Sequence, residues 1–233
     1  MRSEPLIDDF LEDWLLFQNI IARNYMNHRE VITVLRRWVT KRNQPSMRIL
    51  DLGCGDSYVA RRVFKGLDDV QYYGIDQSSQ ALDVARNNFT GYKWNIELPH
   101  GDFTKLIRQL HGPFDLVIAG YVFHSLNEED KATALDNIRL ILRPGGTLII
   151  YDFLPKKGER IDSYKARTVA HAEASWPYLE PSQLASYREH IETRSFPIEQ
   201  SSWTEYTYAS GLGQGKKIYR DDAELFGMLK FSH

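Results

Sequence analysis

Apolar residues recur through the first 42 residues at the three- and four-residue spacing of amphipathic helices. The first series predicts one helix and consists of Leu6, Phe10, Trp14, Phe17 and Ile21. A second series follows an Asn-Tyr-Met-Asn break and predicts another helix, with Val31, Val34, Leu35 and Trp38 on its apolar face. Gln44-Pro45-Ser46 has the composition of a turn. Residues 1–46 are therefore expected to form a helical cap, followed by a main domain over 47–233.

The region from Arg48 to Leu154 alternates short apolar runs with amphipathic stretches. The runs are RILDL, VQYYGID, a weaker NIEL, FDLVIAG and GTLIIYD. The amphipathic stretches are Ser57–Gly66, Ser78–Phe89, Phe103–Leu110 and Glu128–Leu142. This alternation predicts right-handed βαβ units and a parallel sheet. The runs FDLVIAG and GTLIIYD are apolar nearly throughout, which is typical of strands covered on both faces.

The last third of the chain has a different texture. Residues 155–200 are polar and aromatic, with helical patterns over Arg160–Ser175 and Ser182–Glu192. This segment is too long for a plain connection, so we interpret it as an insertion that forms a lid over the mouth of the sheet. A helix ending at Gly211 follows, and the runs KKIY and ELFGMLKF are expected to form a terminal antiparallel pair.

Composition narrows the class of protein. The 233 residues are 42% hydrophobic and 26% charged, as in a globular domain. The formal net charge of −2 gives no basic excess for a nucleic-acid partner. Cys54 is the single cysteine, which favours a reducing compartment. The acidic N-terminus does not resemble a secretory signal, and no apolar run reaches the ~20 residues that span a bilayer. We expect a soluble, cytoplasmic protein without a membrane partner; its oligomeric state stays open.

A glycine turn at the end of the first predicted strand is the sharpest chemical feature. Gly53 and Gly55 separate this strand from a helix, and glycines there allow a tight turn and close approach to a ligand. Asp76 ends the next strand, ~20 residues later, the spacing at which an acid binds a ribose hydroxyl pair. The alternative for Asp76 is capping of the helix that begins at Ser78.

The neighbouring residues distinguish between nucleotide ligands. Tyr58 stands where the dinucleotide fingerprint needs a third glycine, which disfavours NAD and FAD. No Gly-Lys-Ser/Thr follows, which excludes a Walker phosphate loop. Asp51 adds a carboxylate that would repel a pyrophosphate and would suit an ammonium group. S-adenosylmethionine, which carries an amino-acid end, a sulfonium and a ribose, fits this chemistry.

The order of these motifs resembles the class I S-adenosylmethionine-dependent methyltransferases, closely over residues 48–152 and more loosely to the C-terminus. The matching segments are ILDLGCGDS, YYGIDQSSQAL, HGDF, FDLVIAGYVFHSL and LRPGGTLIIYD. The resemblance implies an α/β, three-layer Rossmann-like sandwich. Its seven-stranded sheet would be mostly parallel, with one antiparallel C-terminal strand and the N-terminal helical cap. One departure is Ser57, which stands where the family often has a third glycine.

The same resemblance implies roles for individual residues. Asp51, Gly53 and Gly55 would surround the methionine end of the cofactor, Asp76 would hold the ribose, and Gln77 would lie near the adenine. Asp102 would reach the adenine amino group and Phe103 would flank its ring, although a helix cap and a core aromatic are the structural alternatives. Gly120 and Tyr121 would lie close to the sulfonium. S-adenosylhomocysteine would be the product.

Catalytic and acceptor residues are less sharply indicated. His124 follows the fourth strand and is a candidate general base, with a structural histidine as the alternative. Tyr121, which would lie close to the sulfonium, is the second catalytic candidate. Asp152 is a candidate substrate contact or helix cap. Tyr25 or Asn24, in the break between the first two helices, could contact the methionine end or only pack and cap. Aromatic and histidine residues of the lid could line a pocket for a small organic acceptor: Tyr164, His171, Trp176, Tyr178, Tyr187 and His190.

Other readings of the chemistry remain. His111, His171 and His190 show no metal-ligand spacing and are predicted to be solvated surface residues, so no metal is expected. Cys54 is expected to pack behind the glycine turn. The accepting atom, oxygen, nitrogen or carbon, is not determined. Another S-adenosylmethionine-using transferase, or a non-catalytic module that binds the cofactor, are the alternative functions.

Overall fold

The computed structural model describes residues 7–42, 44 and 46–233, with side chains from residue 14 onward in those ranges. The predicted positions Leu6 and Pro45 lie outside the described residues, and Phe10 lies in α1 outside the described side chains. The elements in chain order are α1 Ile7–Arg23, α2 His28–Arg42, β1 Ser46–Leu52, α3 Tyr58–Val63, β2 Asp69–Ile75, α4 Ser79–Asn88, β3 Asn95–Glu97, α5 Phe103–Leu106, β4 Phe114–Gly120, α6 Glu128–Ile141, β5 Leu142–Phe153, α7 Ile161–Ser175, α8 Pro181–Arg194, α9 Gln200–Ala209, β6 Lys216–Arg220 and β7 Phe226–Ser232.

The described residues form one seven-stranded sheet in the order β3-β2-β1-β4-β5-β7-β6. Strands β1 to β5 pair in parallel, and β7 runs antiparallel to both β5 and β6. The strand order reverses between β1 and β4, which is where open α/β sheets bind ligands at the carboxyl ends of their strands. The predicted mostly parallel sheet and its terminal antiparallel pair are confirmed.

Helices cover both faces of the sheet. On one face, apolar residues of α2, α3 and α4 pack on the strands, with Leu35, Val63 and Leu82 buried. On the other face, Leu135 of α6 and Trp203 of α9 are buried against the opposite side of the same strands. Because both faces are covered, β4 is buried along its whole length up to Gly120. This explains the nearly continuous apolar run in the sequence.

The N-terminal helices and the 155–200 segment meet at one side of the molecule. Ile20 and Met26 share a buried cluster with Trp176 of the α7–α8 connection and Tyr187 of α8, next to Phe153 at the end of β5. The Asn19 side-chain amide donates to the Tyr178 carbonyl at 2.8 Å and to Gln183 at 3.2 Å. The first helix and the predicted lid are therefore packed on each other above the carboxyl end of β5.

Two elements differ from the sequence prediction. The helix expected over Phe103–Leu110 is only the four-residue α5, followed by a 3-10 turn over Ile107–Gln109. The weak third strand is present but only three residues long. Among the described helices, none is long and apolar enough to cross a membrane.

Candidate functional site

The turn after β1 has an unusual backbone. Gly53, Gly55 and Ser57 have φ values of +67°, +51° and +58°, all in the left-handed region. The amides of Gly53 and Cys54 donate to the Ile75 carbonyl at 2.8 and 3.0 Å, which ties the turn to the end of β2. A Cβ built on Gly55 would meet no atom within 4 Å, so the backbone here borders open space. A glycine turn that borders open space in this way can cradle a ligand.

Ser57 occupies the third left-handed position, which explains why glycine would suit the same place. A serine there costs backbone strain of ~1 kcal/mol relative to glycine. Its hydroxyl lies 3.1 Å from the Tyr72 hydroxyl in the interior. Ser57 therefore keeps the conformation of the turn and adds a link to β2.

Asp51 lies beneath this turn, with 5% of its surface exposed. Its carboxylate accepts a hydrogen bond from the Tyr72 hydroxyl at 2.8 Å. Burial raises the pKa of Asp51 to about 7, an effect that the Tyr72 hydrogen bond reduces and the nearby Asp76 increases. A ligand carrying a positive charge would favour the ionised form of Asp51.

Asp76 joins the glycine turn to α4. Its carboxylate accepts from the Gly55 amide at 2.7 Å and from the Ser78 amide at 2.8 Å. The N-cap of α4 is Ser78, whose hydroxyl accepts from the Ala81 amide at 3.1 Å. Asp76 thus supports the start of α4, although Ser78 is the N-cap residue. Its carboxylate also lies against the glycine turn, which is where the sequence analysis expects a ribose-binding acid. Gln77, next to it, is exposed.

The loop after β3 reaches the same edge of the sheet. The Gly101 amide donates to the Asp76 carbonyl at 2.8 Å. Asp102 caps α5 by accepting from the Thr104 amide at 2.9 Å and its hydroxyl at 2.7 Å. Phe103 is 6% exposed and packs in the core against Phe123. Both residues have the structural roles considered from the sequence, and their contacts to adenine stay predictions.

The turns after β1 and β4 touch each other. A Cβ on Gly53 would overlap the Val122 side chain, so only glycine allows this approach. Gly120 is likewise covered by the ring of Tyr151. Tyr121 has φ +53°, and its hydroxyl donates to the Met26 carbonyl in the connection between α1 and α2. The residues expected near the sulfonium therefore lie beside the glycine turn.

His124 lies just beyond this point and is held by Asp152. The Asp152 carboxylate accepts from His124 Nδ1 at 2.8 Å and from the His124 amide at 3.0 Å. It also accepts from the Phe153 amide at 2.8 Å. Asp152 is 4% exposed, and its carboxylate orients His124 from the interior. A direct contact between Asp152 and a substrate stays a prediction.

His190 is the main correction to the sequence analysis. It was predicted to be a solvated surface residue, with a place in the lining of an acceptor pocket as the alternative, and its Nε2 lies 2.9 Å from Nε2 of His124. Burial, the neighbouring His124 and Arg194 lower the pKa of His190 to about 4. Its place on α8 gave no local signal, because its partner is 66 residues away in sequence.

The residues proposed from the cap and the lid contact one another. The ring of Tyr25 stacks on Trp176 with centroids 4.9 Å apart and 6° between planes. The Tyr25 hydroxyl accepts from the Tyr178 amide at 3.2 Å. Trp176 is 4% exposed, and His171 on α7 is half-buried. These contacts join the cap to the lid; their cofactor and acceptor roles stay predictions.

His28 was missed by the sequence analysis. It begins α2 and is 2% exposed, with its ring 5.4 Å from Tyr121 and 6.3 Å from Tyr58. Burial lowers its pKa to about 4. Within the described part of the chain its Nδ1 has no hydrogen-bond partner. No sequence signal marks it, because a histidine at a helix start is ordinary.

Two smaller expectations can be compared with the structure. Cys54 is 8% exposed, and a side chain on Gly74 would collide with its Sγ, so the prediction that it packs behind the turn is confirmed. Among the described residues, no group of three or more histidine, cysteine, aspartate or glutamate side chains is arranged to hold a metal ion.

Comparison with known proteins matches the same part of the chain. Residues 50–148 match a family described as a methyltransferase domain. The malonyl-[acyl-carrier protein] O-methyltransferase of Halalkalibacterium halodurans is 29% identical over 56% of this chain and 47% of that protein. The carboxy-S-adenosyl-L-methionine synthase of Campylobacter fetus subsp. fetus is 20% identical over 88% of this chain and 86% of its own length. The chain thus spans about half the length of the first relative and most of the second.

A solved structure supports the fold. The magnesium protoporphyrin IX methyltransferase (ChlM) from Synechocystis PCC 6803 with bound SAH superposes with a TM-score of 0.65. The match covers 97% of this chain and 95% of that one at 14% identity. At that identity the likeness concerns the fold, and it extends over nearly every element described above.

Proposed function

Because this chain belongs to the class I S-adenosylmethionine-dependent methyltransferases, we propose that it transfers a methyl group from S-adenosylmethionine to a small organic acceptor. The observation that carries the proposal is the meeting of two turns. The glycine turn after β1 abuts the turn after β4 through Gly53 and Val122, and His124 follows two residues later. A cofactor cradle and a buried histidine–aspartate pair are thus adjacent.

The residues present suit this cofactor. Beside Gly55 the backbone borders open space, and the carboxylate of Asp76 lies against the same turn. Asp51 would gain its charge opposite an ammonium group, and Asp76 would accept hydrogen bonds from the ribose hydroxyls. In the same proposal, Gln77, Asp102 and Phe103 line the adenine end. Bound S-adenosylmethionine supplies an electrophilic methyl group on a positively charged sulfur.

The chain's own task is then alignment and proton removal. In-line transfer needs the accepting atom held close to the methyl group, which the α7–α8 lid and the N-terminal cap would ensure by enclosing the acceptor and excluding water. Gly120 and Tyr121 border that point. His124, oriented by Asp152, would take the acceptor's proton. Lid residues, His171 and Trp176 among them, would contact the acceptor, and Tyr25 would close the cap over the methionine end.

The proposal extends to the partner and the compartment. We propose a small-molecule acceptor and no nucleic acid, because the formal net charge is −2 and nothing in the sequence supplies a basic footprint. A cytoplasmic location is favoured by the lone, buried Cys54, which needs no oxidising environment.

Calorimetric titration tests the cofactor. We expect wild type to bind both S-adenosylmethionine and S-adenosylhomocysteine, and Asp76→Asn to bind them at least roughly tenfold more weakly through loss of a charge-assisted hydrogen bond. Asp83→Asn, an exposed carboxylate on α4 that pairs with Arg86, is the matched control and should bind like wild type. No binding of either ligand to the folded wild type would overturn the proposal.

Turnover tests the reaction. The chain is incubated with S-adenosylmethionine and a panel of phenols, carboxylic acids, amines and thiols, and the cofactor products are separated by mass. Formation of S-adenosylhomocysteine together with a methylated acceptor is the expected result. Binding without any turnover across the panel would favour a non-catalytic module instead.

A carboxyl-modifying reaction is the second candidate. It is favoured by the relative that is similar over nearly the full length of both chains, the carboxy-S-adenosyl-L-methionine synthase. The same mass analysis separates the two functions, since that reaction yields a carboxylated cofactor and no methylated acceptor.

A further inference from the structure

The histidine expected to accept the proton is out of an acceptor's reach. His124 is 5% exposed, and both of its ring nitrogens have partners. Nδ1 lies 2.8 Å from Asp152 and Nε2 lies 2.9 Å from His190. An acceptor in the site can therefore meet His124 only through His190.

When both histidines are neutral, the hydrogen bonds fix where their protons are. The Asp152 carboxylate already accepts from two backbone amides, so His124 Nδ1 carries a proton and donates to it. A neutral His124 then has its lone pair on Nε2. Two Nε2 atoms 2.9 Å apart need one proton between them, so that proton belongs to His190. This leaves the lone pair of His190 on Nδ1, which no described residue engages.

We propose that His190 is a catalytic residue of the lid that relays the acceptor's proton to His124. The acceptor's O–H or N–H bond breaks as its proton forms a bond to His190 Nδ1. The His190 Nε2–H bond breaks at the same time, and that proton bonds to His124 Nε2. The electron pair left on the acceptor forms the bond to the methyl group, whose bond to sulfur breaks with its electron pair staying on the sulfur of S-adenosylhomocysteine. His190 stays neutral with its tautomer reversed, and the positive charge rests on His124 beside Asp152.

The surroundings of His190 suit a relay more than a separate base. Its pKa is lowered to about 4 by burial and by two groups that oppose its charge, His124 and Arg194, with Asp152 the charged group that favours it. Because His190 is difficult to protonate, it accepts the acceptor's proton more readily when it passes its own proton to His124, which lies beside the Asp152 carboxylate. In the relay His190 never carries net charge, so burial does not penalise it.

The lid is anchored so that His190 can hold this position. At the start of α8, Gln183 is bound by Asn19 of α1. Just after α8, the Phe196 amide donates to the His124 carbonyl at 2.6 Å. One end of the segment that carries His190 is thus tied to the N-terminal cap and the other end to His124, so the relay is assembled only when the lid is in place.

The relay rests on the proposed methyl transfer, so its first test does not need turnover. In the full chain with ¹⁵N-labelled histidine rings, NMR should show a scalar coupling across the hydrogen bond between the two Nε2 atoms, with the proton bonded to His190. In His190→Gln this coupling must disappear while His124 keeps its proton on Nδ1. Absence of the coupling in wild type, or a proton bonded to His124 Nε2 at neutral pH, would overturn the relay whatever the enzyme's activity.

The second test uses the first acceptor with an O–H or N–H that the panel turns over. His190→Ala should lower kcat by roughly 100-fold or more, the usual worth of a proton-transfer group, with little change in the KM for S-adenosylmethionine. Added imidazole should restore part of the rate in His190→Ala. It should not do so in His190→Gln, where the amide fills the space and hydrogen-bonds His124 but cannot relay a proton.

A control variant and the possible outcomes distinguish a failure of the proposed relay from a failure of the proposed methyl transfer. His111→Ala, an exposed histidine outside the site, should behave as wild type with and without imidazole. Turnover by wild type with an unchanged kcat in His190→Ala would overturn the relay and leave methyl transfer standing. No turnover by wild type on any acceptor would count against the proposed function, while the NMR result still decides the relay.

Discussion

Asp51 and Tyr72 lie on adjacent strands, and the Asp51 carboxylate accepts a hydrogen bond from the Tyr72 hydroxyl at 2.8 Å in the interior. Both residues are shielded from water, with 5% and 1% of their surfaces exposed. Burial raises the pKa of Asp51 to about 7 from its ordinary 3.8, and it raises the pKa of Tyr72 well above its usual range. Asp51 is thus a buried ionisable group that lies beneath the glycine turn.

Asp51 makes the stability of the ligand-free protein depend on pH. Between pH 3.8 and about 7 the folded protein keeps a proton that the unfolded chain has lost, so its contribution to stability falls as pH rises through this window. The total is at most ~4 kcal/mol at 1.36 kcal/mol per pKa unit. Asp51→Asn, which can still accept from Tyr72, should remove this dependence. Urea unfolding at pH 5 and pH 8 measures it, and an unchanged difference in Asp51→Asn would contradict the account.

His28 acts in the opposite direction over an overlapping window. Burial lowers its pKa from 6.5 to about 4. Between these two pH values His28 is protonated in the unfolded chain and neutral in the folded protein. Its contribution to stability is therefore lost as pH falls from 6.5 toward 4, by up to ~3 kcal/mol. His28→Phe, among the aromatic rings around that site, should lose less stability on acidification than wild type. His111→Ala, at an exposed position, should keep the wild-type response; a His28→Phe slope equal to that of wild type would refute the assignment.

Two glycines of the site should respond differently to alanine. At Gly55 a Cβ meets open space and only the positive φ opposes it, so Gly55→Ala should cost ~1 kcal/mol of stability. At Gly120 a Cβ would overlap the buried ring of Tyr151, so Gly120→Ala should cost roughly 1–3 kcal/mol by overpacking. Thermal unfolding of the two variants measures these losses, and Gly120→Ala should be the less stable variant.

The affinity for S-adenosylmethionine gives a second test of Gly55. If the space beside Gly55 receives the cofactor, Gly55→Ala should weaken S-adenosylmethionine binding far more than its small stability loss would suggest. Wild-type affinity in Gly55→Ala would show that the open space serves another purpose.

Lys131 links the turn before α6 to the end of the lid. It is fully buried, and its ammonium donates to the carbonyls of Leu126 and Phe196, the latter at 2.8 Å. Burial lowers its pKa to about 8. Lys131→Met keeps the aliphatic packing but leaves two partly buried carbonyls without their donor, which should cost about 1 kcal/mol of stability.

Hydrogen exchange locates this effect. The Phe196 amide, which is bound to the His124 carbonyl, should exchange faster in Lys131→Met than in wild type. Lys93→Met, at an exposed lysine, should leave the rate unchanged. Equal protection of Phe196 in all three proteins would show that Lys131 does not hold the lid.

The sequence by itself determined the sheet, the glycine turn and the positions of Asp51 and Asp76. Apolar periodicity decides which segments become strands and helices, and short βαβ connections leave few topologies. The turn and its acids lie at strand ends that parallel pairing brings together, so their proximity could be predicted from spacing alone. The resemblance to a known family added the strand order.

Only the tertiary structure decided the partners of His124 and the position of His28. His190 and Asp152 are 66 and 28 residues away from His124, on a lid helix and on another strand. Which face of α8 turns inward depends on how the lid packs against α1 and β5, and the helix carries no strong apolar stripe that would indicate it. The pKa values of Asp51, His28 and His190 follow from the same cause, because burial is a property of the assembled layers and of no single segment.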